Sequence, residues 1–247
     1  MTHIDSTPQS REPLAPLGTT HRSATAVDTL AETYFDHCMA LDPSAATFNG
    51  IPGHETDYPD YGPAGRAAAA ELARTTLELV ERAEPQDDVD RVTLHALRNE
   101  LRLQLDRHEA NLDVSVVSNI ASPVQEIRQI LDAMPRDTEQ EWKHIAGRMA
   151  NIPAALGQYL EGLREAVELD RPPSAPQIVE ASQQAEQYAS DEGSFAVLAN
   201  DPAAPEGVRE ELRRAADAAR ERAGYPAALT TTRLSVEGMT CASCTGR

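Results

Sequence analysis

Apolar residues recur at intervals of three and four along most of this chain. Leu30, Tyr34, Cys38 and Leu41 therefore fall on one face of a helix. The longest stripe consists of Leu94, Leu97, Leu101, Leu105, His108 and Leu112. Because this is the helical period, and few segments show the strict alternation of strands, the pattern predicts an all-α, multi-helix bundle-like domain.

Capping residues and prolines indicate where several helices begin and end. Ser122 followed by Pro123 is typical of a helix start, and Thr138 with Glu141 has the spacing of a capping box. Pro153 interrupts the apolar stripe that follows. Since proline removes a backbone hydrogen bond, we expect one helix to end just before it and a second to begin there.

Two segments differ from this regular pattern. Residues 48–65 are rich in glycine and proline, and Tyr58 and Tyr61 give them apolar surface to bury, so we expect an ordered loop. Residues 206–223 are charged and alanine-rich, with only Val208 and Leu212 as sizeable apolar side chains. This pattern predicts a helix that packs against only a small surface, or whose packing partner lies in sequence that is absent.

Composition divides the chain into three parts. Residues 1–23 mix proline, serine, threonine and charges without an apolar core, which predicts a disordered tail and no signal peptide. Residues 24–225 form the helical domain. Residues 226–247 form a separate tail with a short strand and loop. The length of 247 residues suffices for one sizeable core without disulfides.

Net charge and cysteine content indicate which partners and which cellular compartment to expect. The chain has 22 Lys and Arg against 40 Asp and Glu, a formal net charge of −18. This excess disfavours binding to nucleic acid or to anionic lipid. No run approaches the roughly 20 apolar residues of a membrane span. Only three cysteines occur, which favours a reducing compartment, so we expect a cytoplasmic protein.

The C-terminal segment carries the most specific motif. Leu234 and Val236 alternate as in a strand, Gly238 permits a turn, and Cys241 and Cys244 follow in a Cys-x-x-Cys pattern. Two thiolates at this spacing suit one soft ion, Cu(I) or Zn(II). The segment resembles the start of the heavy-metal-associated domain of copper chaperones. A lone Cys-x-x-Cys is also compatible with half a zinc site or a redox pair.

A second resemblance covers residues 24–225. The sequences Leu-Asp-Pro at 41–43, Gly-Ile-Pro-Gly at 50–53, Tyr-Pro-Asp-Tyr at 58–61 and the block at 119–128 resemble the bacterial domain-of-unknown-function 885 family. The resemblance implies a helical fold and the front half of a zinc metallopeptidase-like protein. Members are about twice as long and carry their metal motif in the second half, which this sequence lacks.

Two His-Glu pairs are candidates for zinc hydrolysis. His54-Glu55 and His108-Glu109 each lack a second histidine at the required position. His108 lies on an apolar stripe, where a buried histidine with one hydrogen bond is the simpler interpretation. His54 is interpreted as a loop residue. We therefore expect no catalytic residue and no hydrolase turnover from this chain.

Two further clusters also have structural interpretations. His37 and Cys38 are neighbours on a helix and point about 100° apart, so they do not form a nucleophile and its base. Cys38 is predicted to be a small buried side chain. Asp87, Asp88 and Asp90 stand at a helix start, where carboxylates stabilise exposed N–H groups.

The sequence thus predicts a non-catalytic helical domain of a metallopeptidase-like protein that lacks its catalytic half. No cofactor is required by this interpretation. Three alternatives stay open: Cu(I) or Zn(II) binding through Cys241 and Cys244, an interaction module for a separate catalytic subunit, and a truncated or fused reading frame without a selected function.

Overall fold

A computed structural model describes residues 22–114 and 116–230, with side chains through Ala223. Within these ranges the chain forms helices and no strand, which confirms the all-α prediction. The predicted disorder before residue 22 and the predicted strand at 234–236 lie outside the described residues. The helices are α1 (Ala26–Leu41), α2 (Pro43–Phe48), α3 (Pro63–Arg82), α4 (Asp88–Glu109), α5 (Pro123–Ala133), α6 (Glu139–Glu168), α7 (Ala175–Ala189), α8 (Ser194–Ala199) and α9 (Glu206–Thr230).

Side-chain caps fix the starts of several helices. The predicted capping box at Thr138 and Glu141 begins α6, and a second box at Thr25 and Asp28 begins α1. Asp42 ends α1 and caps the short helix α2 by accepting a hydrogen bond from the backbone N–H of Ala45 at 2.8 Å. Helix α2 was not predicted, although Asp followed by Pro is a common helix start.

The predicted break at Pro153 is wrong. Helix α6 runs for 30 residues with Pro153 inside it. Met149, Ile152 and Leu156, on both sides of the proline, are buried in one core. Because their burial holds the two halves in line, the helix tolerates the missing backbone hydrogen bond.

The expectation of a small partner surface for the last helix is also wrong. Helix α9 packs along α6 in the most extensive helix pair of the fold. Its buried face carries two large side chains and four alanines: Val208, Leu212, Ala215, Ala216, Ala219 and Ala223. Since alanine side chains are short, they let the two helix backbones approach closely, and the face needs few large residues to be fully buried.

The described residues form two principal hydrophobic cores. The larger one joins α5, α6, α8 and α9 around Trp142 and Ile145. The smaller one joins α1, α3 and α4 and contains Val27, Ala73, Val80, Leu94 and Leu101. Helices α3 and α6 contact each other only sparsely, so the two cores meet along a seam rather than merging.

Asp90 is a fully buried carboxylate where α1 meets α4. It accepts hydrogen bonds from the Thr25 hydroxyl and the Gln86 backbone N–H, both at 2.8 Å, and from the Arg22 guanidinium at 3.3 Å. Burial alone would raise the pKa of Asp90. The bond from Gln86, the bond from Thr25 and the charge of Arg22 together outweigh burial and lower that pKa below its usual value.

We predict that Asp90→Asn destabilises the fold at pH 7, and that its difference from wild type shrinks as the pH falls. A carboxylate with a lowered folded pKa contributes stability above its unfolded pKa of about 3.9 and loses it as the pH falls through the folded value. Urea unfolding at pH 7 and below pH 4 measures this. The exposed Asp36→Asn on α1 is the control, and a pH-independent difference for Asp90→Asn would contradict the prediction.

Candidate functional site

A groove with a volume of about 630 Å³ lies along the seam between the two cores. Helices α1, α3 and α6, the loop before α3 and the connection after α4 form its walls. The residues that line it are Tyr34, Cys38, Leu41, Asp42, Pro59, Asp60, Tyr61, Ala64, Gly65, Arg66, Ala68, Ala69, Leu72, Gln104, Asp113, Val114, Val116, Pro123, Tyr159 and Gly162. This volume is typical of small-molecule and peptide-segment sites.

The loop at residues 49–62 supplies one wall of the groove and is held from both sides. Arg148 of α6 donates to the carbonyl oxygen of His54, and Asn151 donates to that of Thr56 at 3.0 Å. The Tyr58 hydroxyl donates to the carbonyl oxygen of Ile127 on α5 at 2.9 Å. The predicted ordered loop is therefore confirmed, and α5 and α6 fix its position.

Two glycines allow the backbone to come close at this wall. A Cβ atom on Gly162 of α6 would lie 3.1 Å from the carbonyl oxygen of Tyr61. A Cβ atom on Gly65 of α3 would lie 1.8 Å from the carbonyl oxygen of Asp60, which no side chain can tolerate. Glycine at both positions thus sets the width of the groove beside the loop.

The polar residues Asp113, Arg66 and Gln104 line the groove and also a smaller adjoining cavity of about 260 Å³. Asp113 Oδ2 lies 2.8 Å from His108 Nδ1, whereas Asp113 Oδ1 is buried without a hydrogen-bond partner among the described residues. Arg66 pairs with Glu165 through Nη2, and its buried Nε lacks such a partner. Two buried polar atoms of lining residues, one acceptor and one donor, are therefore left without a hydrogen-bond partner among the described protein groups.

The hydroxyl and thiol groups of the groove favour their protonated forms. Burial raises the pKa of Tyr34, Tyr61 and Tyr159 well above the usual tyrosine value. Burial also raises the pKa of the Cys38 thiol, against a smaller opposing effect of its bond with Tyr34. At neutral pH these groups are hydrogen-bond donors rather than nucleophiles.

Behind the groove, Tyr61 donates its hydroxyl proton to Glu126 Oε1 at 2.7 Å. Burial raises the pKa of Glu126, and the bond from Tyr61 opposes that rise. The pair connects the loop to the first turns of α5. Because the half-buried carboxylate is partly shielded from water, the hydrogen bond from Tyr61 is the largest of the effects that stabilise its charged form.

The histidines singled out in the sequence occupy separate places. His54 lies in the loop, as predicted. His108 makes the predicted single hydrogen bond, but its side chain is 32% exposed, so the prediction of burial is wrong. It belongs to the last turn of α4, where the helix emerges from the smaller core.

His37 and Cys38 do not act as a pair. His37 is exposed, and Cys38 interacts with Tyr34 one turn away. Cys38 is half-buried on the groove wall rather than inside the core, because that face of α1 borders the seam. The prediction of a buried cysteine is therefore wrong in detail.

The aspartates at the start of α4 confirm the capping prediction in part. Asp87 accepts from the backbone N–H of Asp90 at 2.8 Å and caps the helix. Asp88 is exposed and pairs with Arg91. Asp90 instead forms the buried polar centre described above, because its side chain turns toward α1.

The predicted metal ligands Cys241 and Cys244 lie outside the described residues, so their site stays a prediction. In the described part of the chain, no three His, Cys, Asp or Glu side chains come together as metal ligands. No helix there is long and apolar enough to cross a membrane.

The sequence did not reveal Asp113, Arg66 and Gln104 as members of one site. They come from α3, α4 and the connection after α4, and their proximity depends on how the two cores meet. The closely spaced Gly62 and Gly65 are a local signal that could have indicated a close backbone approach in this region.

A protein-family model described as a bacterial protein of unknown function, DUF885, matches residues 43–236. The chain belongs to the DUF885 family. The matched region contains the loop, α3 to α9 and most of the groove, and it ends before Cys241. A search of curated proteins finds no match to the chain.

We predict that Tyr61→Phe lowers the free energy of unfolding by about 1–3 kcal/mol, because it removes the hydroxyl that donates to the half-buried carboxylate of Glu126. Urea unfolding at pH 7 measures the change. Tyr188→Phe is the matched control, since the ring of Tyr188 packs edge-on against Phe195 with centroids 6.4 Å apart. Equal effects of the two substitutions would contradict the prediction.

Proposed function

We propose that this DUF885 domain contributes a binding surface, rather than catalytic groups, to a metallopeptidase-like protein whose catalytic groups belong to a separate subunit. The observation that carries the proposal is the exposed apolar rim of the groove. Leu41 and Val116, which both line the groove, are 39% and 48% exposed, and Leu112, close to Val116 in the sequence, is 57% exposed. Large apolar side chains gathered at one concave site are typical of a surface that a partner covers.

The chemistry of the groove supports a binding role. Its Tyr61 and Tyr159 hydroxyls already donate within the protein, to Glu126 and to the carbonyl oxygen of Val116, and burial raises the pKa of the Cys38 thiol. His108, which lines the adjoining cavity, already bonds Asp113. Groups held in this way suit a fixed surface for binding better than attack on a substrate bond.

We predict that a metallopeptidase-like chain encoded by the same genome forms a complex with this protein, and that Val116→Asp weakens the complex at least tenfold. A charge in the apolar rim must lose its water when the partner covers it. Size-exclusion chromatography with light scattering detects the complex, and isothermal titration calorimetry measures its affinity.

Val197→Asp is the matched control, because Val197 on α8 is 62% exposed and does not line the groove. If both variants weaken the complex equally, or if such a chain does not bind, the groove is not the interface and the proposal is wrong.

The tail supports a second candidate function, soft-metal binding by Cys241 and Cys244. The family match ends at residue 236, so both cysteines lie beyond the region that resembles DUF885. Their Cys-x-x-Cys spacing suits Cu(I) or Zn(II), and a metal site here would be independent of the groove.

We predict that the wild-type chain competes with a Cu(I) chelator and that the Cys241→Ser/Cys244→Ser double variant does not. The affinity should be lower than in a complete heavy-metal-associated domain, because ordering the loop opposes binding. Removing the metal should leave the thermal unfolding of the helical domain unchanged. Equal competition by both proteins would show that the cysteines do not bind the ion.

A further inference from the structure

We propose that residues 231–236 of this chain, here called the post-α9 segment, occupy the groove in an extended conformation. In this arrangement Leu234 and Val236 pack on the apolar wall of the groove, and Arg233 lies on the open side. The inference goes beyond the proposed function, because the chain itself fills the groove before any partner binds. A partner that covers the rim then has to displace this segment.

The course of α9 carries the chain toward the groove end of α6. The two helices run parallel, since a Cβ atom on Gly207 of α9 would lie 3.7 Å from Glu139 Oε1 at the start of α6. Further along, a Cβ atom on Gly157 of α6 would lie 3.5 Å from Arg222 Nη2 of α9. Beyond Arg222, α9 continues for about 12 Å, or two turns, to Thr230.

The groove lies at this same level along α6. Two turns beyond Gly157 correspond to about residue 165 of α6, and Tyr159 and Gly162 line the groove just before that level. Six extended residues span about 20 Å. This length suffices to pass around α6, because a helix with its side chains is only about 10–12 Å across. The post-α9 segment can therefore reach the groove without any change in the helices.

The family match assigns the post-α9 segment to the same domain as the groove. The match covers residues 43–236, so it continues past the end of α9 and stops before the two cysteines of the tail. Residues 1–21 lie outside the match. They also join the fold farther away, because Arg22 is fixed at the start of α1 by its ion pair with Asp87, whereas Cys38 and Leu41 line the groove from the other end of that helix.

The apolar pattern of the segment fits the groove wall. Leu234 and Val236 are two positions apart, so in an extended chain both side chains lie on the same side. Leu72, Val114 and Val116 line the groove, and Val116 is 48% exposed among the described residues. Removing these apolar surfaces from water favours docking of the segment.

The charges of the segment and the groove are complementary. Arg233 is the only charged residue of the segment. Asp60 lines the groove and is exposed, so a guanidinium can approach it from solvent. The cationic Arg66 of the groove is already paired with Glu165 and does not repel Arg233 strongly. Because exposed ion pairs contribute little, the apolar contacts of Leu234 and Val236 carry the docking.

The test places a nitroxide label next to the segment in the full-length chain. Cys38→Ser, Cys241→Ser and Cys244→Ser remove the native thiols, and Glu237→Cys takes the label. Broadening of methyl NMR signals by the nitroxide then reports which part of the domain lies close to the segment.

We expect the methyl signals of Val114 and Val116 to broaden at least threefold more than those of Val197. Val197 is the matched reference, because it is 62% exposed on α8 and does not line the groove. A segment that does not dock would show no preference for the groove valines over this exposed valine.

Substitutions in the tail test the apolar contacts. Leu234→Asp with Val236→Asp should reduce the broadening at the groove to the level of Val197, because carboxylates would lose their water on the apolar wall. Ser243→Asp with Thr245→Asp makes the same change in charge farther along the tail and should leave the broadening unchanged. Thermal unfolding of each variant verifies that the helical domain is folded.

Three outcomes would overturn the proposal. One is equal broadening at the groove and at Val197, and another is groove broadening that survives Leu234→Asp with Val236→Asp. The third is a different occupant. Broadening only from a label at Ser10→Cys would assign the groove to residues 1–21, and broadening by separate spin-labelled chains would assign it to a second copy. None of these measurements uses the metallopeptidase-like partner, so this proposal and the proposed function fail separately.

Discussion

The close packing of α9 on α6 is the constraint on which the rest of the structure depends. The alanine face of α9 brings its backbone near α6 and buries the long helix on that side. Helix α6 then presents its other faces to the loop and to the seam, through Arg148, Tyr159 and Gly162. A helix held this firmly serves as the fixed reference for every group that it positions.

The polar interactions that cross the fold are concentrated where α6 meets the loop. Arg148 is fully buried; it donates to the carbonyl oxygen of His54, and its Cζ atom lies 5.7 Å from the centroid of the Tyr58 ring. Burial lowers the pKa of Arg148, and the nearby tyrosine partly offsets that effect. Buried charge of this kind is weak evidence for stability. The clearer effect of Arg148 is on the position of the loop. It fixes the path of a glycine-rich segment that apolar contacts alone would leave loosely defined.

The sequence predicted the helices well and the site poorly, for physical reasons. Stripes with three-to-four spacing and capping boxes are local signals: the stripe identified α1, and the capping box at Thr138 and Glu141 identified the start of α6. The predicted helix break at Pro153 was wrong because tertiary burial outweighed the local effect of the proline. The buried surface of α9 was underestimated because its alanines are small, although they are fully buried. Asp113 and Arg66, whose hydrogen-bonding groups are only partly paired, have no recognisable pattern in the local sequence. Their environment is created only when the two cores meet.

The seam has a consequence for cooperativity. Each wall of the groove belongs largely to a different core, and the smaller core of α1, α3 and α4 has few fully buried side chains of its own. Two cores joined by sparse contacts open locally with different free energies. A ligand that touches both walls links those equilibria, so occupancy of the groove would turn two loosely coupled folding units into one.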